Sequence, residues 1–240
     1  MKIQKFDNYN DMSSAAADIL AKQINIKNDS VLGLATGSTP VGMYKKLVEM
    51  CNAGIVDFSK VKTVNLDEYY PISPENKQSY RYFMNTNLFD LVNIDKANTF
   101  VPNGEAEDAN AACEDYERIV KSLGGIDIQV LGIGQNGHIG FNEPDESLSL
   151  FTHETALTQS TIQANSRFFS EDEVMPTHAI TMGIGTIFSA KKILLLISGK
   201  NKRNALEQLF NDMITTSCPA TLLKLHPNVI VLCDKEAYGE

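Results

Sequence analysis

The chain has 240 residues and a formal net charge of −9; 43% of its residues are hydrophobic and 21% charged. These proportions fit a folded globular domain and exclude a disordered or collagen-like chain, while the acidic balance excludes the broad positive field that draws proteins to duplex nucleic acid or anionic lipid. The opening MKIQKFDNYN lacks an apolar core of signal-peptide length, and the most apolar run, ILLLI, is too short to cross a bilayer; the chain is expected to be soluble, cytoplasmic and free of membrane contact.

Cysteines 51, 113, 218 and 233 show no CxxC spacing, and histidines 138, 153, 178 and 226 form no HxxxH or HExxH array. Reduced, mostly buried thiols are expected, with no metal site.

Along the chain, short β-branched apolar runs recur at 31–34, 61–66, 126–133, 178–182, 193–197 and 229–233. The first strand is therefore expected at 31–34, with room for a single helix before it. Segments of helical periodicity lie between the runs. In 108–123, Ala109, Ala112, Cys113, Tyr116, Ile119, Val120 and Leu123 share one face, and Gly124 and Gly125 stop the helix. Near-continuous apolar strands alternating with amphipathic helices predict a doubly wound, Rossmann-like α/β fold. Its sheet is mostly parallel, with helices on both faces. No repeat or linker divides the chain, so 1–240 reads as one domain; the stretch at about 145–172 loses periodicity, becomes rich in Ser, Thr and Asn, and reads as a lid.

In such folds ligands bind beyond the carboxyl ends of the strands. After the run at 31–34 comes LATGSTP, where Gly37 permits a tight turn and Ser38 and Thr39 offer hydroxyls. Pro40 suits a first helical position. Such a turn is either a phosphate seat built on free N–H groups or a plain N-cap at Thr39.

The run at 61–66 leads into LDEYYP, with adjacent acids Asp67 and Glu68. Neighbouring side chains on extended backbone point apart, so one acid can enter a cleft and serve as a base, or both can be ordinary solvated loop residues.

LGIGQNGHIGFNEP, after the third run, packs four glycines into the ten residues 131–140. No helical run follows, which excludes a dinucleotide reading of GxGxxG. His138, with Asn136 before it and Glu143 after it, reads either as an acid/base set, since a carboxylate can fix a histidine's tautomer, or as a buried histidine bonded to backbone; the small glycine side chains around it favour the first. Positive charge enters with Arg167 in ANSRFF and with Lys200, Lys202 and Arg203 in SGKNKRNAL.

Taken in order, LATGSTP, LDEYYP, GxNGHIGFNEP, ANSRFF and SGKNKRNAL closely resemble the glucosamine-6-phosphate deaminase (isomerase) family, over the chain from about residue 31 onward. The resemblance implies conversion of glucosamine 6-phosphate and water into fructose 6-phosphate and ammonia, without metal or organic cofactor. By matching position, it implies that Asp67 is the base that moves a proton from C2 to C1. His138 would open the ring with Glu143 as its partner, and Asn136 stands where some members carry an assisting acid. Gly37, Ser38, Thr39, Arg167 and Lys202 match the phosphate positions. Members that respond to N-acetylglucosamine 6-phosphate carry a serine, an arginine and a lysine near DESLSLFTHETAL. Here Glu146, His153 and Thr155 stand instead, so that activation is expected to be absent and the protein to be a monomer or small homo-oligomer.

Rival expectations are a 6-phosphogluconolactonase-like hydrolase, which would need no enolising acid, and a galactosamine-6-phosphate deaminase. A sugar-phosphate sensor would want a DNA-binding segment and a basic surface.

Overall fold

The computed structural model describes residues 1–159, 161–162, 169 and 174–240. In chain order the elements are β1 (Lys2–Phe6), α1 (Tyr9–Ile26), β2 (Val31–Leu34), α2 (Val41–Asn52), β3 (Lys62–Asn65), β4 (Asp67–Tyr70) and α3 (Tyr80–Met84). Then follow β5 (Thr99–Phe100), α4 (Ala109–Ser122), β6 (Ile128–Leu131), β7 (His153–Ala156), β8 (His178–Thr181) and α5 (Ile184–Phe188). The last are β9 (Ile193–Ile197), α6 (Arg203–Glu207), β10 (Val229–Asp234) and α7 (Lys235–Tyr238).

Seven strands form one sheet in the order β1-β10-β9-β6-β2-β3-β5, and all its neighbouring pairs are parallel. Its central strands, buried on both faces, are the apolar runs of the sequence, and β9 (ILLLI) is buried throughout. Met12, Ala16 and Leu20 of α1 pack with Met43, Tyr44 and Leu47 of α2 on one face. Tyr116 and Val120 of α4, Ile187 of α5, Leu206 of α6 and Ala237 of α7 cover the other. Truncating a β9 leucine to alanine in so closed a core costs about 2–5 kcal/mol.

The α4 expectation is met: Asp108 caps it by accepting from Asn110 and Ala111, and Ala109, Ala112, Cys113, Tyr116 and Val120 are buried. Three expectations need correction. The first strand is β1, not the run at 31–34. KIQKF lies at the sheet edge beside β10 with a mostly exposed pattern, so it has no apolar run to betray it. The run at 178–182 supplies β8, which belongs to a second, antiparallel sheet, β4-β8-β7, rather than to the large one. Finally, β7 lies inside the aperiodic stretch at 145–172; HETA alternates half-buried and exposed residues.

The chain passes between sheets at Leu66. Its N–H still donates to Leu34 of β2, while its carbonyl accepts from Met182 beyond β8. Asp67 is therefore the first residue of a strand, not a loop residue.

Candidate active site

The sheet order brings the sequence motifs together. β9, β6, β2 and β3 are consecutive neighbours, so the turns at 198–202, 132–143 and 35–40, together with Asp67, leave one carboxyl edge side by side. The connection reverses between β2 and β6, the kind of switch point where α/β sheets form a crevice.

Asp67 is 6% exposed and Glu68 2%. Burial, reinforced by the neighbouring Glu68, pushes the Asp67 carboxyl up to about 8. Burial also raises Glu68, to about 7, although its carboxylate accepts the N–H groups of Tyr69, Tyr80 and Arg81 at 2.8–2.9 Å. Those bonds, two of them from the start of α3, satisfy Glu68 and commit it to structure. Asp67 has no such clamp among the described residues and is the acid left for chemistry.

The loop after β6 is shaped around His138. A Cβ at Gly134 would stand 2.3 Å from the His138 ring, so only glycine admits the imidazole there. His138 Nδ1 lies 3.1 Å from Glu143 Oε2, and the Asn136 amide donates to that oxygen at 2.7 Å. Asn136 Oδ1 also accepts the His138 backbone N–H at 3.2 Å. Thr161, which carried no motif signal, donates to the other Glu143 oxygen at 3.1 Å. Burial works against ionising Glu143, but the His138 ring, the Asn136 amide and the Thr161 hydroxyl hold its carboxyl below the ordinary value. Nδ1 therefore faces a carboxylate, which fixes the proton there and leaves Nε2 as the working nitrogen.

Two contacts join this loop to Asp67. Thr181, opposite Asp67 in the β4–β8 pair, accepts the Phe141 N–H at 3.1 Å. Gly140 has φ +59°, and a Cβ on it would stand 3.4 Å from Asp67 Oδ2 and 2.9 Å from Thr181 Oγ1. Asn142 pins the same loop by donating to Ile139 and Met182 carbonyls, and the Phe141 ring stacks on Tyr80 at 6.1 Å. Sequence reasoning missed Thr181 and Asn142 because their contacts with Phe141 and Met182 join segments distant in the chain.

At the turn after β2, Gly37 has φ +87°, and no described atom lies within 4 Å of its Cβ position. The helix begins at Val41, and Thr39 is not its N-cap: Pro40 occupies that position and no side chain of the cap bonds the first turn. The hydroxyls of Ser38 and Thr39 have no partner among the described residues. Lys202 is half-buried, its ammonium disfavoured by burial, and it has no acidic partner among the described residues. Arg203, by contrast, is paired with Glu207 at 2.9 Å. Ser198 Oγ and Gly199 N donate to the buried Asp234, which braces the turn leading to Lys202. Arg167 lies outside the described residues.

No group of three or more His, Cys, Asp and Glu stands together to hold a metal among the described residues. Nor is any helix among them long and apolar enough to cross a membrane.

The model of the family described as glucosamine-6-phosphate isomerases/6-phosphogluconolactonase matches residues 7–231. The chain belongs to this family. Within it the glucosamine-6-phosphate deaminases are near relatives: that of Thermoanaerobacter pseudethanolicus is 55% identical over 99% of this chain and 94% of its own. That of Clostridium beijerinckii is 54% identical over 98% of each. Among solved structures, a monomeric glucosamine-6-phosphate deaminase superposes with a TM-score of 0.96 at 46% identity, covering 100% of this chain and 99% of that one. The 6-phosphogluconolactonase of Thermotoga maritima reaches a TM-score of 0.78 at 22% identity over 98% and 99%; that likeness is one of fold.

Proposed function

We propose that the chain converts glucosamine 6-phosphate and water into fructose 6-phosphate and ammonia. His138 and Glu143 open the ring, Asp67 moves the proton, and Ser38, Thr39, Lys202, Arg167 and the turn at Gly37 hold the phosphate. The observation that carries this reading is the meeting at Gly140 of the buried Asp67 carboxyl with the loop bearing the His138–Glu143 pair.

Opening the pyranose takes the proton from the anomeric hydroxyl and delivers one to the ring oxygen, which a single imidazole nitrogen can do in turn. Nε2 of His138, opposite the Glu143-bound nitrogen, serves. In the open-chain aldehyde Asp67 removes the C2 proton while O1 is protonated, giving an enolamine. Return of the proton to C1 leaves an imine at C2. Water adds to C2, the carbon–nitrogen bond breaks and ammonia departs, so the net reaction is hydrolytic. A carboxylate, an imidazole and water supply every proton, and we assign no metal or organic cofactor. Once ionised, for which the folded chain must lose the proton held up to about 8, the Asp67 carboxylate is a stronger base than a solvated one.

A lactonase would have no use for an enolising acid in this place. The family relationship to the deaminases and the burial of Asp67 both favour deamination. By the same reading the protein works in cytoplasmic amino-sugar breakdown, downstream of N-acetylglucosamine use, as a monomer or small homo-oligomer; of the lid expected at about 145–172, residues 153–156 are strand β7 and part of the remainder lies outside the described residues. Glu146 is exposed and His153 is bonded to the Phe151 carbonyl at 2.9 Å. An acid there repels a phosphate, which supports the absence of N-acetylglucosamine 6-phosphate activation.

The test is direct. The protein is incubated separately with glucosamine 6-phosphate, galactosamine 6-phosphate and 6-phosphogluconolactone, and ammonia, ketose phosphate and acid are measured. Ammonia and fructose 6-phosphate from the first are expected; lactone hydrolysis without ammonia release would overturn the proposal.

A further inference from the structure

Since Thr39 does not cap α2, an oxygen from elsewhere must meet the Gly42 N–H in its first turn. The oxygen comes from another helix. Tyr9, the first residue of α1, accepts the Gly42 N–H on its hydroxyl at 2.7 Å and donates that hydroxyl to the Ser38 carbonyl at 3.0 Å. One phenol oxygen thus ties the two ends of the turn at 38–42. The approach depends on Gly42, where a Cβ would stand 3.0 Å from the Tyr9 ring and 2.5 Å from Ser13 Oγ.

We infer that Tyr9 is a positioning residue of the phosphate seat. By capping α2 from outside, it relieves Thr39 of the cap and leaves the Ser38 and Thr39 hydroxyls for the ligand. A free Gly42 N–H would draw a side-chain oxygen, because an unmet donor at a helix start is costly and threonine is a favoured cap; the buried Ser13 Oγ beside Gly42, without a partner among the described residues, is the rival acceptor. Without the Tyr9 hydroxyl, Thr39 turns inward and the phosphate loses a donor. Tyr9 itself does not touch substrate. The inference rests on the phosphate reading of the turn at 37–39.

The experiment is a double-mutant cycle on glucosamine 6-phosphate turnover with Tyr9→Phe, Thr39→Val and the double variant. Inhibition by inorganic phosphate is measured in parallel, and each variant is assayed well below its melting temperature. One lost hydrogen bond corresponds to a change of about 3- to 10-fold in affinity. Tyr9→Phe is expected to raise KM and the phosphate inhibition constant together by that factor, with kcat within about twofold of the parent. Thr39→Val is expected to do the same, and the double variant to be no worse than Thr39→Val alone. If Thr39→Val raises KM and Tyr9→Phe does not, the Tyr9 inference is overturned while the phosphate seat stands. Multiplying losses in the double variant overturn it as well, since Tyr9 would then act apart from Thr39. If both single variants leave KM unchanged, the phosphate reading falls and the inference falls with it.

Discussion

Asp67 stands directly opposite Thr181 across the antiparallel pair of β4 and β8, and the Thr181 hydroxyl accepts the N–H of Phe141 in the His138 loop. The proposed base and the proposed ring-opening group are thus held by one threonine, from a strand that carried no motif. Separate losses can be expected from the parts of this arrangement.

Asp67→Asn should abolish exchange of the C2 proton with solvent deuterium and lower kcat by at least about 10³-fold, since no neighbouring group can take over. Glu68 is tied to three backbone N–H groups. Retained exchange in the variant would refute the base assignment.

The same substitution should stabilise the fold at alkaline pH. An unfolded aspartate titrates near about 3.9, whereas folded Asp67 keeps its proton up to about 8. Across that window the folded chain binds more protons than the unfolded one, so stability falls as pH rises. The neutral amide escapes this loss. Thermal melts should show the parent protein and the Asp67→Asn variant most alike near pH 4, with the variant higher by about 10 °C near pH 9; equal melting temperatures at pH 9 would count against a protonated Asp67.

His138→Gln should cost less than Asp67→Asn, about 10²-fold in kcat, because open-chain substrate bypasses the ring-opening step. Glu143→Gln should cost a comparable amount, and the double variant little more than either alone, since Glu143 acts through the ring. Steady-state rates for all three, with the open-chain fraction varied by temperature, check this. Multiplying losses would separate the pair.

Gly140→Ala should be damaging out of proportion to one methyl group. The new Cβ meets Thr181 Oγ1 at 2.9 Å at a φ of +59°, a conformation costly for alanine. A stability loss of about 1–3 kcal/mol by denaturant titration and a kcat fall of at least about tenfold are expected. Unchanged kcat would show that the loop and Asp67 tolerate separation.

Lys202→Gln should raise KM for the sugar phosphate by about tenfold or more, as befits a charge-assisted contact, while Lys200→Gln should change it by less than about twofold. Equal effects from the two would remove Lys202 from the phosphate seat.

Much of this was legible in the primary structure, and for a physical reason. Central parallel strands are buried on both faces, so β2, β6, β9 and β10 had to be apolar runs; the glycines around His138 reflect local backbone needs that show as residue types. The elements that escaped are those whose burial is partial or whose partner is remote. Edge strand β1 is largely exposed, and β4 looked like the loop after β3 because only the turn at Leu66 moves it to another sheet.

By itself the sequence determined the parallel α/β architecture, the candidate reacting groups and their family likeness, because side-chain chemistry and short-range periodicity are properties of neighbours in the chain. Only the tertiary structure decided what each group is free to do. Among the described residues it gave Glu68 to the start of α3 and left Asp67 unclamped, and it gave the Gly42 N–H to Tyr9 and left Thr39 unbonded. Those allocations depend on hydrogen-bond partners that mostly lie far apart in sequence and meet only when the sheet forms.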